Sequence, residues 1–224
     1  MTNVPQKYKY AVIASDVAIF TIKDNQLHVL LIEMKKAPFK GQWALPGGLV
    51  KPTESVDEAA ERLLKEKAGL SNVYLEQLFT FGNVDRDPFG RVVSVSYFAL
   101  IPGTNLNLKT TAEYADIAWF PVSKLPKLAY DHTEVVKVAS QRLQSKLSYT
   151  NIIYGLLPNE FTLGEMQAIY EIILNAKLDK RNFRKKIITL KLIKKLNKKR
   201  QGGPNRPAEL YSFVKKSPAA IEML

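Results

Sequence analysis

Two stretches of this 224-residue chain carry side chains whose types and spacing could do chemistry. The first runs from Gly48 to Leu70 and follows a Pro-Gly-Gly turn, where glycine lets bare backbone approach a ligand closely. The second, from Lys177 to Arg200, contains 12 lysines and arginines and one acid, Asp179, and neutralising phosphates requires such a density of positive charge. Because the chain has no cysteine, thiolate catalysis, disulfides and cysteine-based zinc sites are excluded.

A predicted helix positions the titratable residues of the first stretch. It spans residues 55–68, with Ser55 as candidate N-cap and Asp57 and Glu58 in the first turn, where carboxylates suit the helix dipole. Apolar residues recur along it at helical spacing, and Gly69 follows the last turn as a stop signal.

The segments around that helix predict a mixed sheet with helices packed on it. Runs rich in valine, isoleucine and aromatic residues indicate strands, and a second helix follows the last of them. The predicted strands cover residues 9–22, 27–33, 73–81, 92–100 and 115–120, and the helix covers residues 133–147. Mixed strands with packed helices place residues 1–147 in the α/β class, as a sandwich.

The first stretch resembles the Nudix box, a pattern of glycines, acids, one arginine and aliphatic residues at fixed spacing. The matching residues are Gly48, Glu54, Arg62, Leu64, Glu66, Gly69 and Leu70. The resemblance covers residues 9–147 and implies an α/β/α sandwich of the Nudix type. We expect Glu54 to pair with Arg62 and fix the loop onto the helix, and Glu66 can pair with Arg62 one turn away.

The chain departs from the Nudix pattern at two acidic positions, which hold Leu63 and Lys67. In the family, acids on this face bind the magnesium or manganese that diphosphate hydrolysis requires. Leu63, Glu66 and Lys67, expected to share one helix face, sum to zero charge, so we expect no required cofactor and no ordinary hydrolysis. The alternative is a metal-dependent hydrolase of the ADP-ribose pyrophosphatase type, with magnesium or manganese held by Glu66 and by acids from elsewhere, such as Glu113 or Asp85.

A ligand pocket can survive the loss of that chemistry. Lys36 lies where related proteins carry a basic residue, and DRDPFGR, in the loop 83–91, resembles a segment of the Nudix-related transcriptional regulators. Its arginines could meet a diphosphate and its aspartates ribose hydroxyls; alternatively, it is an exposed loop held by internal Asp–Arg pairs. For Lys67, contact with a ligand phosphate and simple solvation are both open. The predicted ligand-binding residues are Lys36, Gly47, Lys67, Asp85, Arg86, Asp87 and Arg91.

The second stretch falls in a predicted winged helix-turn-helix over residues 148–224. Two helix caps, two short strands and a glycine-rich turn follow one another. The caps are Thr162 with Glu165, and Asp179 before residues 180–190; the strands are 192–196 and 210–214. In this fold the second helix enters the major groove and the wing contacts the DNA backbone. The predicted DNA-binding residues are Lys180, Arg181, Asn182, Arg184, Lys185, Lys199, Arg200 and Arg206; the alternative is a basic helical cap on an enzyme.

Both predicted domains, in this order, resemble the Nudix-related transcriptional regulators over nearly the full chain. Charge supports a polyanionic partner, since residues 148–224 hold 15 basic and 6 acidic residues, which is +9 of the total of +12. The resemblance implies a homodimeric repressor that binds a double-stranded DNA operator and an effector such as ADP-ribose or a sugar. An RNA-binding module is a further alternative. Because the chain lacks an 18-residue apolar run and a signal peptide, we expect no membrane partner and a cytoplasmic location.

Overall fold

The structure, a computed structural model, describes residues 8–103, 112–200 and 207–221. Backbone contacts divide the chain into two compact units. The first contains most of a large sheet and the helix of the first stretch, and the second contains the described residues from Gln141 onward.

A seven-stranded sheet, counted within the described ranges, forms the centre of the first unit. Its strands are β1 (Tyr8–Lys23), β2 (Gln26–Met34), β3 (Trp43–Ala44), β4 (Gly47–Leu49), β5 (Tyr74–Phe81), β6 (Gly90–Leu100) and β7 (Tyr114–Pro121). Neighbours run in the order β3-β2-β1-β6-β5, with β4 beside β1 and β7 beside β2. The β1–β6 pair is parallel and the β5–β6 pair antiparallel, so the sheet is mixed as predicted.

The core of this unit lies along the central strands. On β1, Val17, Ala18, Ile19 and Phe20 are all fully buried. Because successive strand residues point to opposite faces, both faces of the sheet must be covered. The predicted α/β sandwich is confirmed on this point.

Helix α1 (Val56–Ala68) follows the sequence prediction closely. Ser55 is the N-cap: its hydroxyl accepts from the Glu58 amide, and the Glu58 carboxylate accepts from the Ser55 amide at 2.7 Å, which completes a capping box. Gly69 ends the helix at φ 67°, a left-handed conformation that favours glycine. Leu63 and Leu64 face the core.

Three further helices and a hairpin complete the described elements. These are α2 (His132–Tyr149), α3 (Leu163–Leu174), α4 (Lys180–Thr189), β8 (Ile193–Arg200) and β9 (Ala208–Phe213), with short 3₁₀ turns at Val122–Lys124 and Ile152–Gly155. No helix in the described ranges has the length and apolar content needed to cross a membrane.

The second unit has the order of a winged helix: two helices, then a hairpin. The Thr162–Glu165 capping box starts α3, and the Asp179 carboxylate accepts from the Asn182 amide at 2.8 Å to start α4. The predicted end of the first hairpin strand, at residue 196, is wrong. Strand β8 continues to Arg200 because its charged end still pairs across the ladder with β9, at Ala208.

Candidate functional site

A cavity of about 360 Å³ opens in the first unit, within the range typical of small-molecule sites. Strands β1, β2 and β4, the loop before β6 and the segment before α2 form its walls. Its charged lining residues are Asp16, Lys35, Lys36, Arg86, Asp87 and Glu113, and its aromatic ones are Phe89, Tyr114 and Tyr130. The walls therefore offer both flat apolar surface and charge to a ligand.

The Pro-Gly-Gly turn forms part of this wall because β4 pairs with β1, setting Gly47 opposite Asp16. A Cβ atom on Gly47 would lie 2.1 Å from the Asp16 carboxylate, which no side chain tolerates. A Cβ on Gly48 would lie 3.1 Å from the Leu63 side chain. The turn therefore presents bare backbone to the cavity, as the sequence predicts.

A buried charge cluster centred on Arg86 lies against the cavity. The Arg86 side chain, 3% exposed, donates to Asp131 at 2.7 and 2.9 Å and to Asp16 at 3.1 Å, and Ser94 also donates to Asp16. Burial alone would raise the pKa of Asp16, but His132, Arg86 and Ser94 outweigh it and lower that pKa to about 2. The guanidinium is therefore neutralised by two carboxylates before any ligand arrives.

His132 fixes the other side of Asp16. Its Nδ1 accepts from the Leu45 amide at 2.9 Å, so the ring proton lies on Nε2, which is 3.5 Å from an Asp16 oxygen. The ring is therefore held between the Leu45 amide and the Asp16 carboxylate.

The predicted ligand-binding residues do not all gather here. Lys36, Gly47, Arg86 and Asp87 line the cavity, and their contact with a ligand remains a prediction. The expectation that the loop 83–91 is exposed is wrong at Arg86. This side chain is buried and pairs with Asp16 and Asp131, which lie outside the loop.

Asp85 and Arg91 lie outside the cavity lining. Asp85 is exposed, and Arg91 donates to the Asn83 carbonyl at 3.2 Å. Lys67 also lies outside the lining but contacts two residues that belong to it, Glu113 and Tyr114.

The retained Nudix-box residues act as a staple between loop and helix. Arg62 donates to Glu54 at 2.6 and 2.8 Å, to Glu66 at 3.0 Å and to the Leu49 carbonyl at 3.2 Å. Hydrogen bonds from Arg62 and the Lys51 backbone lower the pKa of Glu54 to about 2. The predicted pairing of Arg62 with both acids is present.

The residues at the metal-binding positions of the Nudix pattern do not fit a divalent cation. Positions 63, 66 and 67 lie at i, i+3 and i+4 of α1, but their burial differs: Leu63 is 1% exposed whereas the Glu66 side chain is 48% exposed. Leu63 packs into the core, Glu66 is bound to Arg62, and Lys67 places an ammonium there. Across the described parts of the chain, no group of three or more acids and histidines could hold a metal ion.

In the second unit, α4 exposes a basic face opposite its apolar one. Phe183 and Ile187 point inward, and the Phe183 ring lies 5.4 Å from that of Tyr170 on α3. The five predicted DNA-binding residues of this helix, Lys180, Arg181, Asn182, Arg184 and Lys185, are all exposed. Among the described residues, none of the four cations in this set has an ion-pair partner.

The two described hairpin cations that were predicted to bind DNA, Lys199 and Arg200, are paired instead. Lys199 lies 3.7 Å from Glu209, and Arg200 contacts the Glu165 carboxylate and the Glu160 carbonyl. Arg206, also predicted to bind DNA, lies outside the described residues.

Comparison with known proteins matches both units to one family. Residues 13–139 match the model of the NUDIX domain, and residues 153–213 match that of the NrtR DNA-binding winged helix domain. The chain is 38% identical over 215 residues to the ADPR responsive transcriptional repressor NtrR of Acinetobacter baylyi, covering 92% of this chain and 84% of that protein. This chain belongs to the NrtR family.

Solved structures of NrtR are similar to this chain. Shewanella oneidensis NrtR complexed with a 27mer DNA superposes with a TM-score of 0.80 at 34% identity, covering 90% of this chain and 93% of that one. The NUDIX domain of the same protein complexed with ADP ribose gives 0.55 at 36% identity, covering 61% of this chain and 90% of that one. An ADP-ribose pyrophosphatase of Methanocaldococcus jannaschii is 41% identical over 115 residues, which are 51% of this chain and 66% of that protein.

Sequence reasoning missed four cavity-side residues of this NrtR protein: Asp16, Tyr130, Asp131 and His132. Asp16 stands in an apolar strand, where a lone acid is a signal in itself, because such a residue is seldom buried without a partner. Tyr130, at φ 55°, places its ring 4.3 Å from that of Phe39. The two residues are far apart in the sequence, so no local sequence pattern predicts this contact.

Proposed function

We propose that this NrtR protein is a DNA-binding transcriptional repressor whose Nudix domain binds ADP-ribose. Binding of ADP-ribose lowers the affinity of the repressor for DNA. The exposed basic face of α4 carries this proposal, because its four cations have no ion-pair partner among the described residues and are free to meet phosphates. The relatives that bind DNA and ADP-ribose support both halves of it.

The assignment of work within the chain is part of the proposal. Residues 1–147 sense the effector and residues 148–224 bind DNA as a homodimer, in the cytoplasm. Coupling requires that ADP-ribose bind the DNA-free arrangement more tightly than the DNA-bound one. A sugar is the alternative effector, and Asp87 and Lys36 at the cavity suit hydroxyl and phosphate groups respectively.

Fluorescence anisotropy with a duplex selected by the protein from a random-sequence pool tests this proposal. We expect ADP-ribose to weaken duplex binding by at least fivefold, which corresponds to the lower end of typical allosteric coupling. AMP and a free pentose, titrated separately, show which part of the effector is read. Unchanged duplex affinity at saturating ADP-ribose would refute the effector assignment.

Metal-dependent hydrolysis is the second candidate, favoured by the match to the pyrophosphatase. Incubation of the protein with ADP-ribose and magnesium or manganese, followed by separation of the nucleotides, tests it. We expect no cleavage because Leu63, Glu66 and Lys67 do not fit a divalent cation. Cleavage that Glu66→Gln abolishes would favour the enzyme instead.

A further inference from the structure

We propose that Lys67 is an internal cation for the diphosphate of the effector, held behind the cavity wall by Glu113 until the ligand replaces that carboxylate. The inference rests on the proposed function, since it concerns the same cavity. It assigns to one side chain the charge that a bound divalent cation would otherwise supply.

The position of Lys67 is the first support. It lies in the last turn of α1, and its side chain is only 13% exposed. The ammonium donates to the Glu113 carboxylate and lies 4.8 Å from the centre of the Tyr114 ring. Because both partners line the cavity, the cation lies one side chain behind its wall.

The second support is the unequal burial of the ion pair. The Glu113 side chain is 57% exposed, so its carboxylate can swing into water at little desolvation cost. Lys67 cannot leave as easily, because its ammonium lies over the Tyr114 ring and little of the side chain reaches solvent. A ligand that displaces Glu113 therefore finds the ammonium in place, and an ammonium offers three donors to phosphate oxygens.

The third support is the state of two of the three other cations that line this cavity; the third, Lys36, is exposed. Arg86 is neutralised by Asp16 and Asp131, and Lys35 donates to the Ala112 carbonyl at 3.0 Å, next to Glu113. A diphosphate carries more negative charge and more acceptor oxygens than one carboxylate, so it competes well for Lys67. The same ammonium repels magnesium, and diphosphate binding is therefore independent of divalent metal.

Calorimetric titration of the full chain with inorganic pyrophosphate in EDTA tests the inference. We expect Lys67→Met to weaken binding about tenfold, as loss of a charge-assisted hydrogen bond does, while Lys67→Arg keeps most of it. Lys65→Met is the matched control, because Lys65 is exposed on the same helix and lies outside the cavity lining; it leaves binding unchanged.

Glu113→Gln gives the opposite sign. It removes the competing carboxylate and strengthens pyrophosphate binding roughly threefold in the presence of Lys67, with a smaller gain in the Lys67→Met background. An ion pair that only held the fold would give a loss or no change. This exposed position also keeps the test decisive if Lys67→Met does not fold.

Three results would overturn the inference: wild-type binding that requires magnesium, wild-type protein that does not bind pyrophosphate, or equal affinity with and without the Lys67 ammonium. Failure of the proposed function looks different. If ADP-ribose leaves duplex affinity unchanged while pyrophosphate binding still depends on Lys67, the effector assignment falls and the internal cation stands.

Discussion

The cavity and the exposed face of α4 handle positive charge in opposite ways. Beside the cavity, Arg86 is held by Asp16 and Asp131, and Lys67 by Glu113. On α4, the four exposed cations Lys180, Arg181, Arg184 and Lys185 have no such partner among the described residues. Buried cations must be compensated to be stable, whereas exposed ones are left free for a polyanion. At the cavity, a ligand anion must replace a carboxylate that already pairs with the cation. On α4, the DNA phosphates can bind cations that have no carboxylate partner.

Breaking the buried cluster produces the largest expected effect. Arg86→Met leaves Asp16 and Asp131 without their cation, and we expect a loss of about 3–5 kcal/mol in the free energy of unfolding. Urea unfolding at pH 7 measures it. Arg91→Met is the control from the same loop: Arg91 donates only to main-chain carbonyls, so its loss costs less than about 1 kcal/mol. Equal effects would show that the cluster contributes nothing special.

Removing free cations affects binding rather than folding. Arg181→Ala with Arg184→Ala should weaken duplex binding by roughly 2–4 kcal/mol, with an unchanged circular dichroism spectrum. The slope of log affinity against log salt concentration should fall by about two, because about two fewer counterions are released. Lys199→Ala with Arg200→Ala, on the hairpin, should cost less, because Glu209 and Glu165 already offset those charges. A larger loss from the hairpin pair would reverse the roles of helix and wing.

Acid should weaken the cavity cluster specifically. The pKa of Asp16 is about 2 in the folded chain and near 4 in an unfolded one, so its contribution is complete above about pH 4 and is lost as the pH falls towards 2. The contribution at neutral pH is roughly 2 kcal/mol. Urea unfolding from pH 2 to 6 should show the gap between wild type and Asp16→Asn closing below pH 4. Exposed Asp85→Asn should track wild type throughout.

The smallest expected effect concerns the turn between α3 and α4, which positions the start of α4. Glu171 on α3 accepts from the Leu178 amide and from Gln167 at 3.0 Å, and from Lys177 at 3.1 Å. Glu171→Gln keeps one acceptor oxygen, so duplex affinity should fall only about threefold. Lys177→Met, which removes the exposed ion pair alone, is the comparison and should change little. Equal losses in both variants would assign the effect to charge rather than to the turn.

The sequence predicted contacts between residues close together in the chain, and it missed contacts between residues far apart in the chain. The Thr162–Glu165 capping box and the N-caps Ser55 and Asp179 involve residues three apart, so local spacing was enough to predict them. The cavity cluster joins β1, a loop and the start of α2, and DRDPFGR alone reads as an exposed loop because its burying acids lie elsewhere. The same limit hid His132, whose role depends on the Leu45 amide.

Leu63 has a consequence for anyone who would engineer a metal centre here. Leu63→Glu alone would bury a carboxylate beside Gly48 without a cation, and Lys67→Glu alone would set two acids against each other at Glu113. Each single step weakens the fold before a metal can compensate it. Converting this sensor into a hydrolase therefore requires either simultaneous substitutions or a prior gain in stability that offsets the loss from each single one.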